Sequence, residues 1–112
     1  MKIKKTEDEG KIVYSISGRI DTQSAPDLQD DIDALFEKMK KEGNNKIELV
    51  LDFKNVEYTS SAGLRTILYT KKKIDSMAEG SKFKIINISP EIMEVFDMTG
   101  FSDFLSLNGS EN

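Results

Sequence analysis

Apolar residues recur at every second position through 11–20, where Ile12, Tyr14, Ile16 and Ile20 share one face and Lys11, Ser15, Ser17 and Arg19 break up the other. This alternation predicts a half-buried strand. A weaker strand is expected over 2–6, and the acidic run Glu7-Asp8-Glu9-Gly10 between the two reads as a hairpin turn. The period then changes. Leu28, Ile32, Leu35, Phe36 and Met39 follow at helical spacing, behind Ser24-Ala25-Pro26-Asp27, which combines a capping hydroxyl, an early proline and a first-turn carboxylate. Lysines gather late in this helix, at 38, 40 and 41, as its macrodipole favours, and Gly43-Asn44 ends it.

The strongest strand spans 46–53. Ile47, Leu49, Leu51 and Phe53 alternate with Glu48, Val50 and Asp52, and the additional Val50 suggests a central strand covered on both faces. A loop is expected over 54–59, then a second helix over about 60–77. Its apolar residues are Leu64, Ile67, Leu68, Ile74 and Ala78, and Lys71 interrupts the stripe. Gly80 turns the chain into a short strand over 83–88. Ser89-Pro90-Glu91 opens a third helix with inner residues Ile92, Val95, Phe96 and Thr99, closed by Gly100. A last edge segment is expected over 101–107, with 108–112 as a flexible tail.

The resulting order, β-β-α-β-α-β-α, predicts an α/β chain: a single domain over 1–107 whose mixed sheet has an initial antiparallel hairpin, parallel strands and packed helices. Loops that bear function collect beyond the carboxyl ends of parallel strands. Asp21-Thr22-Gln23 and 54–61 are expected there.

Composition narrows the chemistry. The 112 residues include no cysteine, which removes disulfides, thiolate metal sites and cysteine nucleophiles. They include no histidine either, so the commonest general base, metal ligand and activator of serine is missing. No cofactor is expected. A net charge of −4 disfavours nucleic acid as a direct partner. Neither a signal peptide nor a membrane-spanning run is visible, so a cytoplasmic location is expected without membrane contact.

The most informative run is Asp52-Phe53-Lys54-Asn55-Val56-Glu57-Tyr58-Thr59-Ser60-Ser61-Ala62-Gly63-Leu64-Arg65. A strand passes into a polar stretch, and two adjacent serines open a helix. One serine caps the helix while the other projects beside free backbone N–H groups, where negative charge is favoured. The plainer reading makes both serines a helix cap. Gly63, in the first turn, costs about 1 kcal/mol relative to alanine and hints at close approach by another backbone or a partner.

Tyr58-Thr59-Ser60-Ser61-Ala62-Gly63-Leu64-Arg65 resembles the signature of STAS domains, the fold of bacterial anti-sigma factor antagonists. Gly18-Arg19-Ile20-Asp21-Thr22, followed by Ala25-Pro26-Asp27-Leu28, is similar to that family's other recurring segment, and the likeness spans nearly the whole chain. The resemblance implies a protein that binds and does not catalyse. In its unphosphorylated form it would bind an anti-sigma factor, often itself a serine kinase, and release the sigma factor. Phosphorylation of a serine at the start of the second helix would end that binding, and a phosphatase would restore it. By position the acceptor maps onto Ser61, with Ser60, where many relatives carry aspartate, as the alternative. The implied partner-binding set is Asp21, Thr22, Ser60, Ser61, Gly63, Leu64 and Arg65. Two of these have structural readings as well: Asp21 as a turn residue and Leu64 as core. A homodimer is left open. The alternative function is a constitutive scaffold subunit of a larger signalling complex, without a phosphate cycle. A hydrolase using Ser61 would need a lysine or carboxylate as base.

Overall fold

The computed structural model describes residues 1–101. Its elements follow the expected order: β1 (Lys2–Asp8), β2 (Lys11–Ile20), α1 (Ala25–Lys41), β3 (Glu48–Thr59), α2 (Ser61–Asp75), β4 (Lys82–Ile86) and α3 (Pro90–Thr99). The four strands form one sheet in the order β1-β2-β3-β4, with β1 antiparallel to β2 and the other pairs parallel. The chain thus moves the same way along the sheet at both crossovers, and crossovers of one hand then lay their helices on one face.

The core confirms that placement. Ile12, Tyr14, Ile16 and Ile20 of β2 join Leu49, Leu51 and Phe53 of β3 and Ile85 of β4 in a single buried cluster. Every helix contributes to it: Leu28, Ile32, Leu35, Phe36 and Met39 from α1, Leu64, Ile67 and Ile74 from α2, Ile92 and Phe96 from α3. Phe96 meets Phe53 edge to face, with ring centroids 6.3 Å apart. Each such side chain contributes about 1.5–3 kcal/mol by leaving water.

Val50 is buried on an interior strand. It lies on the side away from this cluster and is buried between its cross-strand neighbours, Val13 and Lys84, on a face that no described helix covers. Other boundaries also move. β1 continues through Glu7 and Asp8, and the hairpin turns on Glu9 and Gly10 alone, both at positive φ. Residues 54–59 are strand and not loop, because β3 stays paired with β2 up to Thr59 through two register shifts. α2 ends at Asp75, before the expected 77, and β4 covers 82–86 instead of 83–88. The buried side of α2 is filled out by Thr66 and Thr70, the latter donating a hydrogen bond from its hydroxyl to the Thr66 carbonyl at 2.8 Å. Phe101 packs on the core, while the rest of the expected edge segment and the tail lie outside the described residues. No helix among the described residues is long and apolar enough to cross a membrane.

Candidate functional site

β2 and β3 end side by side, with Ile20 paired to Thr59, and the loops that follow meet there. Since β3 runs to Thr59, only Ser60 separates it from α2. The Ser60 N–H donates to the Ile20 carbonyl at 2.8 Å, so the start of α2 is tied to the end of the neighbouring strand. Ser60 is the N-cap, and its Oγ accepts from the Gly63 N–H at 3.4 Å.

Ser61 is the first residue of α2, is exposed, and its hydroxyl makes no hydrogen bond with the described residues. The two serines are therefore distinguishable: one is engaged by the helix, the other is free. Ser60→Ala should lower the unfolding free energy by about 0.5–1 kcal/mol, the low end for a cap because the bond is long. Urea denaturation checks this.

Beneath Ser61, Gly63 and Leu64 are buried. A Cβ on Gly63 would collide with Thr59 Oγ1 and stand 2.8 Å from Ile20 Cγ2. The glycine thus serves the close approach of α2 to the strand ends, and Leu64 belongs to the core. Arg65, one turn beyond Ser61 and on the same side of the helix, is exposed. No acidic residue occupies the first turn of α2, so no side chain of that turn offsets the positive end of its dipole.

The second loop is organised by Asp21. Its Oδ1 accepts from the N–H groups of Gln23 at 3.1 Å and Ser24 at 3.0 Å, and its carbonyl accepts from Ala25 at 2.8 Å. Bonds from the Ser24 backbone and hydroxyl, from Gln23, and the nearby Arg19 charge hold this carboxyl below its usual value of 3.8. Asp21 takes the capping role expected of Ser24, whose side chain makes no cap bond to the helix. Ser24 Oγ instead donates to the Arg19 carbonyl at 2.8 Å and accepts the Asp21 N–H at 2.9 Å. The turn presents Thr22 to solvent.

Between the starts of α1 and α2 lies an open groove of about 440 Å³, lined by Thr22, Ala25, Pro26, Gln29, Ala62, Arg65 and Thr66. The expected residues are thus brought together, with Thr22, Ser61 and Arg65 at the surface and Gly63 and Leu64 inside. The α1 side of the groove, Pro26 and Gln29, was not anticipated. Neither was the contact between Arg19 and Tyr58, neighbours across β2 and β3, where the guanidinium stands 4.3 Å from the ring centroid. An exposed pair of this kind is worth about 0.5–1 kcal/mol, enough to fix a cation at the rim but small beside the core. Among the described residues no group of three or more carboxylates is arranged to hold a metal ion.

Comparison with known proteins shows which chains share this sequence pattern and fold. An anti-sigma-B factor antagonist of Bacillus subtilis (strain 168) is 29% identical over 102 residues, which cover 91% of this chain and 85% of that protein. The crystal structure of an anti-sigma factor antagonist from Mycobacterium paratuberculosis superposes with a TM-score of 0.75 at 24% identity, covering 92% of this chain and 80% of that one. The Bacillus cell fate determinant SpoIIAA, in its phosphorylated form, has the same fold, with a TM-score of 0.64 at 14% identity over 91% of this chain and 86% of its own. The STAS domain family model matches residues 2–112, and the chain belongs to that family.

Proposed function

We propose that this protein is an anti-sigma factor antagonist whose binding is switched off by phosphorylation of Ser61. Unphosphorylated, it binds an anti-sigma factor that is itself a serine kinase and so releases the sigma factor; a phosphatase resets it. Its activity is binding, not catalysis. The observation that carries this reading is Ser61 itself, an exposed and unbonded hydroxyl on the first turn of α2, beside the groove between α1 and α2. The names of its relatives, and the existence of SpoIIAA in a phosphorylated form, support it.

Thr22, Ser60, Ser61 and Arg65 would face the partner, with Asp21 shaping the loop that presents Thr22. Gly63 and Leu64 would act from below by seating the helix. A phosphate on Ser61 would add about −1.5 to −2 charges at a helix N-terminus, which tolerates them, so the fold should persist in both states.

The test is fragment mass analysis of the protein taken from its native host with phosphatases inhibited. One phosphate on Ser61 is expected. Phosphate on Ser60 would retain the switch and move its residue; none under any growth condition would overturn it in favour of the constitutive scaffold. Ser61→Ala should change stability by no more than about 0.5 kcal/mol, as for exposed sites in general. It should keep the partner bound and take up no phosphate.

A further inference from the structure

β1 is an edge strand. One side of its backbone is satisfied by β2, and no described strand pairs with the other. Natural sheets blunt such edges with charge, particularly lysine. Here the charges are segregated along the strand: Lys2, Lys4 and Lys5 come first, Thr6 stands in the middle, and Glu7 and Asp8 follow. Six of the seven residues are exposed, and none of the five charged side chains has an ion-pair partner among the described residues.

We propose that β1 pairs antiparallel with β1 of a second copy of this chain, about a twofold axis at Thr6, so that two four-stranded sheets become one. Such an axis stands perpendicular to the sheet and keeps every residue on its own face. Centred on Thr6, it sets Lys5 opposite Glu7 on the helix-bearing face and Lys4 opposite Asp8 on the open face, each twice by symmetry. Thr6 meets its own copy, a favourable cross-strand pair. Moving the centre by one residue sets Lys5 against Lys5 or Glu7 against Glu7, and centring on Lys4 opposes two lysines. Opposite charges stabilise directly facing strand positions and like charges destabilise them, so the charge pattern admits one register.

The opposite edge of the sheet lacks this property. β4 reads Lys-Phe-Lys-Ile-Ile without an acidic residue, and pairing with itself about either Phe83 or Lys84 opposes lysines. A seven-residue edge buries less than a standard interface does, so association is weak, appears at high protein concentration and diminishes with added salt.

The natural absence of cysteine allows a direct test on the full chain. Facing Cα atoms of antiparallel strands lie about 4.5–5.5 Å apart, within reach of a disulfide. Under mild oxidation Thr6→Cys should dimerise roughly tenfold faster than Lys4→Cys or Asp8→Cys alone, while a mixture of those two should cross-link readily. In analytical ultracentrifugation K4E/K5E should remain monomeric where the wild-type chain dimerises, and K4E/K5E/E7K/D8K should restore the dimer. Equal rates for Thr6→Cys and Lys4→Cys, or a wild-type monomer at every concentration, would overturn the proposal.

Discussion

Gly63→Ala should lower the unfolding free energy by about 2 kcal/mol, and Gly63→Val by about 3 kcal/mol or more, although both replace a poor helix former. Alanine on its own would gain about 1 kcal/mol from helix propensity. Against this stands the seating of α2. The new methyl group would meet Thr59 Oγ1 and lie 2.8 Å from Ile20 Cγ2, and both neighbours are buried at the ends of paired strands. Threonine and isoleucine are stiff about χ1, so neither swings aside without moving backbone. Overpacking costs about 1–3 kcal/mol, and with two stiff neighbours struck at once the upper end applies, which leaves a net loss of about 2 kcal/mol after the propensity gain. A loss of 2 kcal/mol corresponds to a fall of roughly 10 °C in Tm for a domain of this size. Urea unfolding with an unchanged slope would assign the loss to the native state. A stabilised Gly63→Ala would mean that α2 does not sit against the ends of β2 and β3. The seating of the helix that presents Ser61 would then have to be redrawn.

The same glycine shows what was legible in the sequence and what was not. Its unfavourable position in a first turn signalled close approach, but not by what, because its neighbours Ile20 and Thr59 are distant in sequence and become adjacent only through the β2–β3 register. The helices were legible because each carries an apolar stripe at helical spacing. In α1 the five apolar residues that defined it are all buried. β2 was legible through alternation. The second half of β3 was not: after Phe53 the phase of burial slips, with Val56 and Thr59 buried and polar residues between, as its register shifts against β2 require. A stretch without period reads as loop, although its backbone is paired.

Two other features of the site depend on that slip. Arg19 and Tyr58 face each other only because β3 continues to Thr59, so their contact is not visible in a sequence whose 54–59 stretch lacks a strand period. The exchange of roles between Asp21 and Ser24 was hidden for a different reason. Both residue types cap helices and turns equally well, and only the path of the chain decides which side chain meets the free N–H groups. Val50 was legible as a residue of an interior strand: it is buried, with β2 and β4 paired on either side of β3.

Ser61→Asp should move stability and binding in opposite directions. The residue is exposed at the first position of α2, no acidic side chain occupies that turn, and the dipole there favours negative charge. The variant should therefore be as stable as the wild type or more stable, by about 0.3–1 kcal/mol. Its affinity for the partner should fall on the order of 100-fold, because a contact formed around Ser61 would strip water from the carboxylate, and a buried charge without a partner costs about 2–5 kcal/mol. Arg65 is the nearest cation on the same helix face, and its retention at the interface would soften that loss. Comparing Ser61→Asp, Arg65→Ala and Ser61→Asp/Arg65→Ala separates the two contributions. The double variant should bind more weakly than the product of the single effects if Arg65 partly neutralises the charge, and at that product if it does not. Calorimetric titration with the anti-sigma factor, set beside urea denaturation of the same variants, reads both signs. A Ser61→Asp chain that is stable and binds as tightly as the wild type would show that charge at this position does not govern the interface. A chain that loses binding because it has unfolded would contradict the tolerance of the helix start, which the electrostatics of α2 require.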